Sequence, residues 1–240
     1  MFRRSPRGGA PELLFLIRSA TMRFAASAAV FPGGRVDEAD RVLAQTRFNG
    51  SADLDDTAAR IAAVRETLEE AGLAIGLTRP VSADEAGEAR ALLLAEGALA
   101  PVLDRFGWSL DLATLTSFAR WNPARLRAFD TRFYLADLGT GAVDLAVDGT
   151  EHGDLMWLPA AEALARGRSG ELRMLFPTRC NLERLAQYDD FAEACADAAR
   201  WPQPVIAPWV EEIEGRPWVR IPDDIGFPVN RVSLDEAVRE

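Results

Sequence analysis

Ala62-Ala63-Val64-Arg65-Glu66-Thr67-Leu68-Glu69-Glu70-Ala71-Gly72-Leu73 is the stretch on which the fold of this chain turns. Its periodicity is helical. At about 100° per residue, Ile61, Val64 and Leu68 share one face, and Glu66, Glu69 and Glu70 lie on the opposite one. Asp55-Asp56-Thr57 supplies capping side chains upstream, and Gly72 stands where a helix C-terminal glycine belongs. Three carboxylates at i, i+3 and i+4 crowd one turn and repel each other. A divalent cation removes that repulsion, and hard oxygen donors suit Mg²⁺ or Mn²⁺. Arg65 is also placed to pair with Glu69 one turn on. The same triplet is the pattern of a solvated helix face. The glycine turn upstream, Phe31-Pro32-Gly33-Gly34, and the order of the parts favour a site.

Outward from that helix, short apolar runs of strand length occur at Leu13–Ile17 and Ala25–Phe31, the second ending at the Pro-Gly-Gly break. Residues 35–56 are polar and Asp-rich and read as a long loop with one short helix near Ala39–Gln45. Ser82 to Phe106 is dominated by Ala, Leu and Glu and predicts one or two helices. Thr116–Trp121 and Thr131–Leu138 read as strands joined by a loop holding Asn122-Pro123. Val143–Val147 is a weaker strand, and Leu155–Leu158 a short one leading into a helix at Ala160–Ala165. Asn181–Ala199 is amphipathic and helical. The proline-rich tail, Pro202 to Pro228, predicts extended segments or a hairpin packed on the main body. Strands interleaved with helices imply an α/β (α+β) sandwich with a mixed sheet.

Composition narrows the function classes. The chain has 240 residues and a formal net charge of −10, and all 27 of its cations are arginine. That acidity argues against a general nucleic-acid or anionic-membrane binder, because such partners demand a cationic face. It leaves room for a local arginine pocket that takes a phosphate. Cys180 and Cys195 cannot build a disulfide framework, and no Cys-x-x-Cys pair suggests zinc, so a reducing cytoplasm is the default. The apolar run at Leu13–Ile17 is too short for a signal peptide, and no stretch approaches the roughly 20 residues a membrane span needs.

Phe31-Pro32-Gly33-Gly34, then Asp40, then Arg65 to Leu73 together resemble the Nudix box. That pattern runs Gly, five residues, Glu, seven residues, then Arg-Glu-hydrophobic-any-Glu-Glu-any-Gly-hydrophobic. Arg65, Glu66, Glu69, Glu70, Gly72 and Leu73 match its second half. Asp40 stands for the first Glu, Thr67 occupies a hydrophobic position, and 24 residues separate Asp40 from Arg65 where the pattern has seven. Closure cost grows only logarithmically with loop length, so such an insertion is tolerable. Asp37 or Glu38 could take the place of Asp40. Ahead of the box, Arg18-Ser19, Arg23, Ser27 and Phe31 to Gly34 are similar to the signature of coenzyme A diphosphatases. Ser27 stands where that signature has Gly, and Leu16 where it has Thr. Ala119-Arg120-Trp121, Phe129 to Tyr134, Trp157-Leu158-Pro159 and Glu162-Ala163-Leu164 resemble the branch of that group with an insertion inside the box.

The resemblance implies one Nudix domain over 1–240, an α/β/α sandwich with a loop insertion at about 41–56, a helical insertion at about 82–110 and a C-terminal extension at about 201–240. It implies hydrolysis of a nucleoside diphosphate linked to another group, here CoA or acyl-CoA giving 3′,5′-ADP and a 4′-phosphopantetheine product. ADP-ribose, NADH or another conjugate is the alternative substrate, and a nucleotide-binding module without turnover the alternative function. The implied metal ligands are Glu66, Glu69 and Glu70, with Asp40 a fourth, for Mg²⁺ or Mn²⁺. Glu66 or Glu70 is implied as general base, with Glu151, Asp148 and Asp154 as loop candidates. Arg18 and Arg23 would bind phosphate as bidentate forks, Gly33 and Gly34 would let the backbone turn beside the helix, and Arg65 would make a structural ion pair. The partner is a small nucleotide diphosphate rather than nucleic acid or membrane; a homodimer is open.

Overall fold

The structure is a computed structural model and describes residues 1–19, 27–122, 130–138 and 152–238. In chain order its elements are β1 (Phe2–Arg3), β2 (Glu12–Arg18), β3 (Ala28–Val30), α1 (Glu38–Arg47), α2 (Leu54–Ala71), α3 (Ala83–Glu96), α4 (Leu99–Phe106), β4 (Thr116–Trp121), β5 (Thr131–Leu135), β6 (His152–Pro159), α5 (Ala160–Arg168), β7 (Arg173–Met174), α6 (Phe176–Leu185), α7 (Phe191–Arg200), β8 (Val205–Ile206), β9 (Trp209–Ile213), β10 (Arg216–Arg220), β11 (Arg231–Ser233) and α8 (Leu234–Val238).

β2 organises the first sheet. It pairs antiparallel with β1, β3 and β6, and β7 joins β3 in parallel. Leu13, Leu14, Phe15 and Leu16 are all buried, so both faces of β2 are covered and its sequence is a continuous apolar run instead of an alternation. In a second sheet β4 pairs antiparallel with β5 and parallel with β8. The two sheets meet through β1, where the Phe2 N–H donates to Ala136 O and the Leu138 N–H donates to Phe2 O, each at 2.8 Å. The sheet is therefore mixed, as the interleaved pattern implies.

Two large apolar cores and a small third one at Leu14, Ala71 and Leu73 follow among the described residues. One lies against the sheets and holds Phe15, Phe118, Trp121 and Leu182. The other is built on α2, where Ala58, Ile61, Val64 and Leu68 meet Leu43 and Ala44 of α1, Leu93 of α3, and Val102 and Leu103 of α4. The Ala/Leu/Glu-rich stretch is thus two helices packed on the carboxylate helix from its apolar side. Residues 41–56 hold less loop than expected. The short helix spans Glu38–Arg47, because the Asp40 carboxylate accepts from the Asp37 N–H at 2.9 Å and Leu43 and Ala44 are buried.

Asn181–Ala199 departs from the single helix expected there. The chain breaks between α6 and α7, where Asp190 accepts from the Glu193 N–H at 2.8 Å and the Asp189 N–H donates to Glu193 at 2.9 Å. That reciprocal cap starts a new helix more favourably than a continuous one would run through two Asp residues. The tail does form a hairpin, β9–β10, extended by β11 into a three-stranded meander. Arg220 lies over Trp209 at 5.7 Å and Arg231 over Trp218 at 5.4 Å. Ala25, Ala26 and the expected strand Val143–Val147 lie outside the described residues.

One polar network locks the start of α2 to the second sheet. The Asp56 carboxylate accepts from Arg60 Nε at 2.6 Å, from Arg132 Nη1 at 2.9 Å and from the Tyr134 hydroxyl at 2.8 Å. Arg60 in turn donates to Ser117 Oγ at 2.8 Å and lies over the Tyr134 ring. Burial alone would raise the Asp56 pKa, but the hydrogen bonds from Arg60, Tyr134 and Arg132 outweigh it and hold the carboxyl below its ordinary value. A depressed folded-state pKa contributes stability above the unfolded value, near about 4, and loses it as pH falls through the folded one. Asp56→Asn is therefore expected to lower the urea midpoint at pH 7, and the gap to the unmodified protein should close as the pH is taken below 4. A gap that stays constant down to pH 3 would contradict this reading.

Candidate active site

α2 brings the carboxylates to a cleft of about 2090 Å³, where Glu66, Glu69 and Glu70 share the wall with Gly33, Gly34 and Arg18. The helix begins with Asp53, whose side chain accepts from the Asp56 N–H at 2.8 Å, and ends on Gly72, whose N–H donates to Leu68 O. Its apolar face sinks into the second core as the periodicity predicts. The opposite face is less solvated than an ordinary acidic stripe, because the 31–37 loop closes over it.

Two glycines make that closure possible. Gly33 has φ +152°, which L side chains rarely adopt, and its N–H donates to Glu70 Oε2 at 2.7 Å. At Gly34 an added Cβ would overlap the Glu66 carboxylate itself. The loop backbone therefore rests directly on the carboxylate turn.

Arg65 holds the other side. Its side chain is 4% exposed and that of Asp40 is 1% exposed. Arg65 Nη2 donates to Asp40 Oδ2 at 3.0 Å and Nε to Asp40 Oδ1 at 3.1 Å. A further bond of 2.8 Å runs from Nη2 to Arg35 O, and Asp37 stands 3.5 Å away. Nη1 reaches Glu66 Oε1 at 2.9 Å and Glu69 Oε2 at 3.4 Å. Burial works against the guanidinium charge, yet the hydrogen bonds to Asp40 and the charges of Glu66, Asp40 and Asp37 raise the Arg65 pKa. The ion pair expected of Arg65 is present, with Asp40 and Glu66 ahead of Glu69.

Asp40 thus sits beside the site without facing it. Both of its oxygens serve Arg65, and one also caps α1. Thr67, the departure at a hydrophobic position, is 4% exposed and spends its hydroxyl on Ala63 O at 2.7 Å, which makes it acceptable in the core. Asp154 is exposed on β6 and is not part of the cleft wall. Arg132 is drawn to Asp56. Arg23, Asp148 and Glu151 lie outside the described residues, as does the His152 side chain.

Among the described residues no three His, Cys, Asp or Glu side chains converge on a single point as they stand. Glu66 and Glu69 turn to Arg65, and Glu70 turns to the Gly33 amide. The donor set nonetheless fits a divalent cation. Glu66 is pushed up to about 7, first by burial and then by the charge of Glu69, against the opposing pull of Arg65. A carboxyl driven that far toward protonation is short of positive charge, and three hard oxygen donors from one turn can accept it together.

No protein-family model matches the chain. Over an alignment of 244 positions it is 31% identical to the acyl-coenzyme A diphosphatase NUDT19 of Gallus gallus. That match covers 78% of this chain and 65% of the relative, somewhat under two thirds of its length. The crystal structure of a NUDIX hydrolase from Alicyclobacillus acidocaldarius superposes with a TM-score of 0.66 at 28% identity, over 81% of this chain and 92% of that one. In sequence and in fold the chain is similar to Nudix hydrolases.

The two halves of the box-like pattern meet in three dimensions although 24 residues intervene between Asp40 and Arg65. The added length goes into α1 and the first turns of α2, and Asp40 still closes on Arg65. Ser27, where the CoA-diphosphatase signature has Gly, has φ +59°. A left-handed backbone is why glycine suits that position. Sequence reasoning missed the service of Asp40 to Arg65, for which an acidic residue three past Asp37 was the available signal.

Two outcomes follow from this geometry. Asp40→Asn removes the most buried partner of Arg65, which keeps Glu66, Glu69 and the Arg35 carbonyl, and should destabilise the fold by about 1–3 kcal/mol in denaturant titration. Ser27→Gly should raise the unfolding free energy by about 0.5–1 kcal/mol, since relief of the left-handed strain exceeds the entropy glycine adds to the unfolded chain.

Proposed function

We infer that the protein is a metal-dependent Nudix diphosphatase that cleaves CoA or acyl-CoA into 3′,5′-ADP and a 4′-phosphopantetheine product. One observation carries the reading: Arg18 lines the same cleft as Glu66, Glu69 and Glu70, and its buried Nε has no hydrogen-bond partner among the described residues. A guanidinium with an unpartnered Nε in the same cleft as a carboxylate turn suits an anion that is also bound by a cation. The name of the avian relative, an acyl-coenzyme A diphosphatase, supports the substrate.

Glu66, Glu69 and Glu70 would hold Mg²⁺ or Mn²⁺, which supplies charge neutralisation of the diphosphate and a more acidic attacking water. The chain's own residues do the rest. Gly33 donates its N–H to Glu70 and fixes that carboxylate against the loop. Arg65 keeps Glu66 and Glu69 turned to the same side of α2. Arg18 orients the phosphates, with Arg23 as its proposed companion from the same signature. Glu66 or Glu70 would take the proton from water, and Glu151 remains the loop candidate for that role.

Purified protein with Mg²⁺ or Mn²⁺ should convert CoA to 3′,5′-ADP and 4′-phosphopantetheine, read by mass spectrometry. Glu70→Gln should lower kcat by about 10²-fold or more, and Arg18→Ala should raise KM for CoA by about 10-fold or more. Cleavage of ADP-ribose or NADH without cleavage of CoA would overturn the substrate. Binding of these nucleotides with no turnover under any metal would overturn the enzymatic reading.

A further inference from the structure

Helix α6 carries an amide that nothing among the described residues completes. Asn181 is 1% exposed, and its Oδ1 accepts from Trp121 Nε1 at 3.3 Å. An indole nitrogen can only donate, so that bond settles which end of the amide is oxygen. The NH2 end then points away from Trp121 and has no hydrogen-bond partner among the described residues. Burial keeps it from bulk water. A buried donor in this state costs about 1–3 kcal/mol and calls for an explanation.

Its surroundings supply one. Asn181 lines the cleft that also holds Arg18 and the carboxylate turn, together with Trp121, Phe176 and Leu185. Thr178, Asn181 and Leu185, at steps of three and four, put one face of α6 toward it. The Trp121 ring is wedged edge-on between Phe176 at 6.0 Å and Phe227 at 5.8 Å, which holds the indole N–H and hence the amide in place. This part of the wall is aromatic and aliphatic, and the bonded partner of Asn181 is neutral. It suits a neutral acceptor better than a phosphate.

We propose that Asn181 is a specificity-determining residue whose side-chain NH2 donates to an amide carbonyl of the pantetheine arm, while Arg18 and the carboxylate turn take the diphosphate. This rests on the CoA reading and deepens it. CoA offers neutral carbonyl acceptors on the far side of the diphosphate from the nucleotide, and a preset donor in an apolar wall rejects arms that lack them, because its own bond is then left unmade.

The test compares the full-length protein with Asn181→Leu, which keeps the branched side-chain outline and removes the donor together with the acceptor of the Trp121 N–H. By calorimetry, the Kd for 4′-phosphopantetheine should rise by about 5- to 100-fold in the variant, with the Kd for 3′,5′-ADP within two-fold of the unmodified protein. With CoA as substrate, KM should rise by a similar factor and kcat should change much less. If Asn181→Leu does not fold, Asn181→Ser, too short to reach past Trp121, carries the same comparison. Unchanged 4′-phosphopantetheine binding would mean that a trapped water meets the NH2 and would overturn the proposal. Equal weakening of both ligands would mean that Asn181 only shapes the wall, and would overturn it too. An unmodified protein that cleaves CoA while the variant behaves identically removes the Asn181 assignment alone. An unmodified protein that does not cleave CoA removes the substrate reading, and this proposal with it.

Discussion

The buried pair between Asp40 and Arg65 is the constraint on which the site depends. A charge at 1% or 4% exposure must be paired, so the two side chains find each other across an intervening stretch of 24 residues. That contact fixes the start of α1, the 31–37 loop through Arg35 O, and the orientation of Glu66 and Glu69. Extra chain length between the partners is absorbed outside the contact. It forms a helix whose apolar side joins α3 and α4 on α2 and leaves the carboxylate side untouched. Loop entropy opposes such an insertion only weakly.

The same geometry reconciles an acidic chain with the anionic ligand proposed for it. A net charge of −10 suggests repulsion of phosphate. Much of the charge at the cleft is, however, concentrated on one helical turn, where burial and mutual repulsion push Glu66 toward protonation. A carboxylate set in that condition attracts cations. With no lysine in the chain, any direct contact from a cationic side chain to phosphate is an arginine fork, and Arg18, whose buried Nε is unpartnered among the described residues, lines the same cleft.

Much of this was legible from residue order. The strand Thr116–Trp121 has the bounds its β-branched and aromatic content implies, and Leu13–Ile17 lies inside β2. The helix bearing Glu66, Glu69 and Glu70 runs to Gly72 as its periodicity requires. Less legible were features decided by a capping side chain or a distant partner. Asp190 splits what periodicity alone reads as one helix. Asp40 has a metal ligand's place in the box, and in the structure its carboxylate pairs with Arg65. The positive φ at Ser27 accounts for a glycine in the signature that no reading of this one chain could explain.

Local sequence was sufficient for whatever depends on neighbours along the chain: the α2 amphipathicity, its cap, the glycine turn and the carboxylate triplet. Those are set by backbone geometry and spacing within about one or two turns. The tertiary structure decided the rest, because it turns on which groups are buried together. It gave Asp40 to Arg65, put the Gly34 backbone against Glu66, and left Asn181 with half of its hydrogen-bonding capacity unmet in the cleft wall. Burial converts a polar residue from a solvated side chain into one that must find a partner, and only the fold shows which partners are within reach.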